Sequence, residues 1–148
     1  MNVLGAVIAG LVGTITFSMV LAMAPKMGMP KMDIVDMLST MFGNPNRMLG
    51  WIMHFMMGII FALVYTFLWS LGVGSASWLN GLIFGAVHWL VVGVVMGMIP
   101  MMHAGIKSGA VKAPGLWMTN NGRMMAFVGG LIGHMVFGLV VALIYNLF

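Results

Sequence analysis

Four stretches without a single charged residue, at about 3–25, 49–71, 79–102 and 125–147, constrain this chain more than any other feature. The hydrocarbon core of a bilayer is about 30 Å thick and takes about 20 apolar residues of helix to cross, and each stretch reaches that length. The remainder is too short for a separate soluble domain. Of the 148 residues, 62% are hydrophobic and 5% charged, against roughly 45–50% and 25% in a soluble domain. The expectation is an all-α chain with one transmembrane domain over 1–148, a four-helix bundle and not a soluble enzyme.

Every Lys and Arg falls between spans one and two (Lys26, Lys31, Arg47) or between spans three and four (Lys107, Lys112, Arg123). The amino terminus, the turn from Gly72 to Trp78 and the carboxyl terminus have none. Basic residues concentrate in cytoplasmic loops, so loops 26–48 and 103–124 are expected in the cytoplasm and both termini outside, in a bacterial-type inner (plasma) membrane. Trp69 and Trp78 then lie at the outer interface, and Trp51 and Trp117 at the inner one. Because the formal charge of +4 comes from these flanking residues, it gives no reason to expect a nucleic-acid partner. The first span is not read as a cleaved signal peptide, since Pro25 would follow the cut at Ala22-Met23-Ala24 and no basic segment precedes it.

The chain repeats itself. Gly50 to Tyr65 and Gly130 to Tyr145 share Gly-x-Ile-x-His-x-x-x-Gly-x-x-x-Ala-Leu-x-Tyr without a gap. Ile8 to Met27 and Ile83 to Met102 share Ile8/Ile83, Gly10/Gly85, Val12/Val87, Met23/Met98, Pro25/Pro100 and Met27/Met102. A two-span unit keeps its orientation when duplicated, so two tandem hairpins, 1–71 and 79–148, are expected around a pseudo-two-fold axis along the membrane normal. Spans two and four could then lie diagonally opposite.

Between spans one and two, apolar residues at 34, 37, 38, 41 and 42 recur at helical spacing before Gly43-Asn44-Pro45, predicting a short interfacial helix. Its plain role is to cover the bundle end, and its sharper role is to dock a partner. Loop three, with Gly105, Gly109, Pro114, Gly115 and Asn120-Asn121-Gly122, reads as irregular and mobile.

The candidate chemistry is narrow. Cysteine is absent, and the only carboxylates, Asp33 and Asp36, lie outside the spans, so thiolate sites, carboxylate-pair catalysis and carboxylate proton relays have no residues to use. Histidine is the one group at membrane depth that titrates near neutral pH. His54 is framed by Gly50 and Gly58, and His134 by Gly130 and Gly138, four residues to either side and therefore on one helix face. One reading is a small-xxx-small packing face, with each imidazole bonded to a neighbouring helix. The other is axial ligation of haem b by His54 and His134, the glycines making room for the macrocycle and Arg47, about 10 Å along the helix, meeting the propionates. In general plan this resembles the bis-histidine four-helix cytochromes of respiratory complexes.

His88 and His103 have no repeat partners, Gly13 and Gly28 standing in those places, so a second haem is not expected. His88-Trp89 reads first as a hydrogen-bonded packing pair and second as a further polar element of a site. Among the 20 methionines, Met23 and Met27 flank Pro25, and Met98 and Met102 precede His103. Thioether with imidazole suits Cu(I), although methionine is also a common flexible filler. Thr14, Thr16 and Ser18 are expected to bond back to their own helix or to a neighbour.

Ala24-Pro25-Lys26-Met27-Gly28-Met29-Pro30, Gly50-Trp51-Ile52-Met53-His54-Phe55 and His88-Trp89 together resemble small four-helix bacterial integral membrane proteins of unassigned function, a resemblance that implies no activity. The leading expectation is a non-catalytic accessory or structural subunit of a larger membrane complex, in contact with lipid and other membrane subunits. A haem-carrying anchor or electron conduit is the second reading, and Cu(I) binding or transport the third.

Overall fold

The computed structural model describes residues 1–148. It is all helical, with no strand: α1 (Val3–Met23), α2 (Ile34–Ser39), α3 (Arg47–Ser70), α4 (Trp78–Met98), α5 (Ala104–Lys107) and α6 (Arg123–Tyr145). Four of these, α1, α3, α4 and α6, are long and apolar enough to cross a membrane. A helix of 24 residues such as α3 spans about 36 Å, which exceeds the hydrocarbon core.

Local signals set the helix ends. The side chains of Asn2, Asn46 and Ser77 accept from the backbone N–H of Gly5, Leu49 and Asn80, giving α1, α3 and α4 their N-caps. Pro25 and Pro100 cannot donate to the carbonyl four residues back. At both places the α-helix tightens into a short 3-10 turn, Ala24–Met27 after α1 and Ile99–Met101 after α4.

Between membrane helices water is absent, so packing is driven by close van der Waals fit and small residues are favoured at contacts. Here α1 packs on α3, α4 on α6, and α1 on α6. The approaches occur at glycines. A Cβ on Gly10 would lie 2.8 Å from the Ile59 Cα and 2.9 Å from the Gly58 carbonyl oxygen. A Cβ on Gly85 would strike the His134 carbonyl, and one on Gly138 the Gly81 carbonyl. By contrast α3 and α4 meet through side chains: Phe61, Tyr65 and Trp69 reach His88 and Phe84. The outer surfaces are apolar along their length, with Ile15, Met19, Ile60, Val64, Val87 and Leu90 exposed.

The two ends of the bundle differ. At one, the Tyr145 hydroxyl accepts from the Asn2 N–H at 2.9 Å, and the Asn146 amide donates to the Ala76 carbonyl, tying the two termini to each other and the carboxyl-terminal one to the turn between α3 and α4. At the other, the two charged loops are joined to each other. Ala104 and Gly105 donate their N–H groups to the Met41 and Thr40 carbonyls at 3.0 and 3.1 Å, and His103 adds a third link to loop one.

Two loop expectations need correction. The helix between spans one and two runs only from Ile34 to Ser39, capped by Asp33, and buries Val35, Leu38 and Ser39, while Phe42 is exposed. Of the expected face, Leu38 is buried and Ile34 and Met37 pack on the core, but the inward side also takes in Val35 and Ser39, which meet Gly50 where it lacks a Cβ. Loop three is packed against the bundle: Leu116–Asn121 forms a 3-10 segment on α4 and α6, Pro114 and Met118 are buried, and Trp117 sits over Gly93. Trp117 and Met118 hold left-handed backbone angles, φ 48° and 57°, a conformation costing roughly 1–2 kcal/mol per residue that this packing offsets.

Candidate functional site: a histidine-lined cavity in the bundle

α1 brings Thr14, Phe17 and Ser18 to the interior, α3 brings His54, Gly58 and Phe61, α4 brings His88, and α6 brings His134 and Phe137. Three of the four histidines thereby line one cavity of about 60 Å³, together with Thr14, Phe17 and Phe137. His54 and His134 are buried. His88 and His134 meet edge to face with ring centroids 4.8 Å apart. On the charged-loop side, His54 also borders a cleft of about 350 Å³ with Ser18, Lys31, Arg47 and Trp51.

Each of the three imidazoles makes one hydrogen bond inside the protein. The Ser18 hydroxyl donates to the Thr14 carbonyl at 2.8 Å, leaving its oxygen to accept from His54 Nε2–H at 3.0 Å. His134 Nδ1–H donates to the Gly130 carbonyl of its own helix at 2.7 Å. The Tyr65 hydroxyl lies 3.0 Å from His88 Nδ1. The phenol donates when His88 carries its proton on Nε2, the arrangement that gives this buried hydroxyl's hydrogen a partner. His103 lies apart, at the loop end. It is fully buried, its Nδ1 accepts from the Ile106 N–H at 3.1 Å, and its Nε2–H donates to the Met37 carbonyl at 2.8 Å.

The chain belongs to the DUF6789 family. The family model, described as a family of unknown function, matches residues 1–148. No curated protein and no solved structure matches the chain. Membership therefore gives this DUF6789 chain no activity, and the site has to be read from its geometry.

The glycines framing His54 and His134 are all filled by protein: Gly50 by α2, Gly58 by the Thr14 side chain, Gly130 by the Trp89 ring and Gly138 by the α4 backbone at Gly81. Phe17 touches both histidines, with ring centroids 5.8 Å from His54 and 4.8 Å from His134. Arg47 pairs with Asp36 at 3.5 Å on the surface. These residues do not fit a haem in this packing, because the histidines share Phe17 and a cavity of about 60 Å³, well below the 300 Å³ or more of an ordinary cofactor pocket.

The candidate copper set is not gathered either. Met23, Met27, Met98 and Met102 are exposed, the segment that carries the first two does not pack on the one that carries the last two, and both nitrogens of His103 are engaged by backbone.

Sequence reasoning set His88 aside for want of a repeat partner and passed over Tyr65 and Phe17 as site residues. The signal was present in part. A polar group at membrane depth is a functional candidate by default, and Phe61 and Tyr65 share the α3 face that His88 meets. At the repeat counterpart of His88, Gly13, the space is taken by Phe137, so the asymmetry is one of packing.

Proposed function

We propose that this chain is a non-catalytic integral membrane protein that serves as a subunit of a larger membrane assembly. The observation that carries the reading is the side of the bundle between α3 and α4. The other three neighbouring pairs of long helices are in close contact, but here an apolar groove of about 400 Å³, lined by Val64, Leu68, Ile83, Val87 and Val91, opens outward. A helix of another membrane protein would fill it by the van der Waals fit that drives association in lipid. The loops supply no separate domain, and Asp33 and Asp36 are occupied by Lys31 and Arg47, each at 3.5 Å.

The finer architecture belongs to this reading. Gly10 with Gly58, and Gly85 with Gly138, are equivalent positions of the two repeats, and each pair stands where its two helices touch. Pro25 and Pro100, also equivalent, both convert helix into a 3-10 turn. These support tandem hairpins related by a pseudo-two-fold axis. The charged loops, bonded together at one end, support a cytoplasmic position for loops 26–48 and 103–124, with both termini outside in a bacterial-type plasma membrane.

A photo-crosslinking residue placed at Val87 in the native membrane tests the subunit reading, with Ile15 on the outer face of α1 as the control. The expected outcome is one protein adduct from Val87 and none from Ile15. Adducts to lipid alone, or the same adducts from both positions, would overturn it.

A further inference from the structure

The three histidines around the central cavity have a hydrogen-bonding capacity that the protein does not use. His54 gives Nε2–H to Ser18, so its Nδ1 keeps a lone pair. His134 gives Nδ1–H to Gly130, so its Nε2 keeps a lone pair. His88 receives the Tyr65 proton at Nδ1, so its Nε2–H is an unused donor. None of these three nitrogens has a partner in the protein, and none is sealed. The indole nitrogens of Trp69, Trp89 and Trp117 are the buried side-chain polar atoms left with neither partner nor contact with open space. All three histidines line this cavity.

We infer that His54, His88 and His134 form a binding site for one small neutral hydride, water or ammonia. The ligand donates to His54 Nδ1 and His134 Nε2 and accepts from His88 Nε2–H. A buried water makes two to four hydrogen bonds and occupies about 30 Å³ of liquid volume, whereas an apolar cavity of similar size stays dry. A cavity of about 60 Å³ with three polar partners meets both conditions. A cation is a poorer fit, because His88 points a donor at the site and no carboxylate lies in the spans to balance the charge. Anything larger meets Phe17, Phe61 and Phe137. The cavity has an open neighbour on two sides: His54 also borders the cleft with Arg47 and Lys31, and His88 also borders the groove between α3 and α4. That groove is the one offered to a partner above; His54 and His134 do not border it, so a measurement at those two rings is read separately from that proposal.

Solid-state NMR of the full chain, ¹⁵N-labelled at histidine in lipid bilayers, tests this directly. His54 and His134 are each expected to show one unprotonated ring nitrogen receiving magnetisation from water protons; Val92 lines the cavity from α4, and the transfer is expected to vanish in Val92→Phe, whose ring takes up that space. Ammonium chloride at alkaline pH is the second probe. A saturable shift at the same two nitrogens assigns ammonia as well as water, and no shift restricts the site to water. The inference is overturned if the wild-type chain shows neither water transfer nor an ammonia shift, whether or not the Val92→Phe chain folds. Transfer that persists in a folded Val92→Phe chain would also overturn it.

Discussion

His103 Nε2 donates to the carbonyl of Met37 at 2.8 Å, across 66 residues of sequence. Its other nitrogen caps α5 through the Ile106 N–H, so one fully buried ring joins both charged loops. Helix ends leave carbonyls without i+4 partners, and that of Met37, near the end of α2, takes the Thr40 hydroxyl at 3.0 Å as well as the His103 ring.

Replacing His103 by Leu removes both bonds and leaves the Ile106 N–H without its cap, while the Met37 carbonyl keeps only its bonds from Thr40. Unsatisfied buried groups cost about 1–3 kcal/mol. His103→Leu is expected to destabilise the chain by about 2 kcal/mol, read by denaturation in mixed micelles, and unchanged stability would mean that the loops are not held by this ring.

The glycine contacts predict a contrast within one helix. A Cβ on Gly85 meets backbone of α6, which cannot turn away, whereas on Gly97 it meets the tip of Leu116 at 2.6 Å, which can. Gly85→Ala is expected to cost about 2–3 kcal/mol, in the range of overpacking, and Gly97→Ala less than about 1 kcal/mol, since alanine also favours helix. Thermal unfolding of the two variants side by side decides this.

Tyr65→Phe deletes the donor to His88 Nδ1 while keeping the ring that packs on Trp69 and Phe84. A loss of about 1 kcal/mol is expected, together with a change in the ¹⁵N signature of His88. A His88 spectrum identical to that of the wild-type chain would place the phenol proton elsewhere.

Haem supplied during expression is expected to leave the purified protein without a Soret band, because Phe17 contacts both His54 and His134 and their framing glycines are filled. A Soret band lost in the His54→Ala, His134→Ala double variant would show that the bundle opens to admit the macrocycle.

The proposed orientation predicts labelling from opposite sides. The chain has no cysteine, so Ser75→Cys and Ser108→Cys each report one loop. An impermeant maleimide should modify Ser75→Cys in intact cells and Ser108→Cys only after the membrane is opened; the reverse pattern would invert the topology.

The sequence alone determined that this chain crosses a membrane, how often, and near which residues. Length and hydropathy are local quantities, and a helix in lipid satisfies its own backbone. It also marked the glycines, because residues four apart share a helix face wherever the helix goes. What those faces meet was decided by tertiary structure: α2 on Gly50, Trp89 on Gly130, Thr14 on Gly58. The pairing of His88 with Tyr65, the enclosure of three imidazoles around one cavity and the withdrawal of His103 into the loop staple all join separate helices or loops. No periodicity within one segment records them, since they depend on how far each helix is rotated about its axis, which only packing against its neighbours fixes.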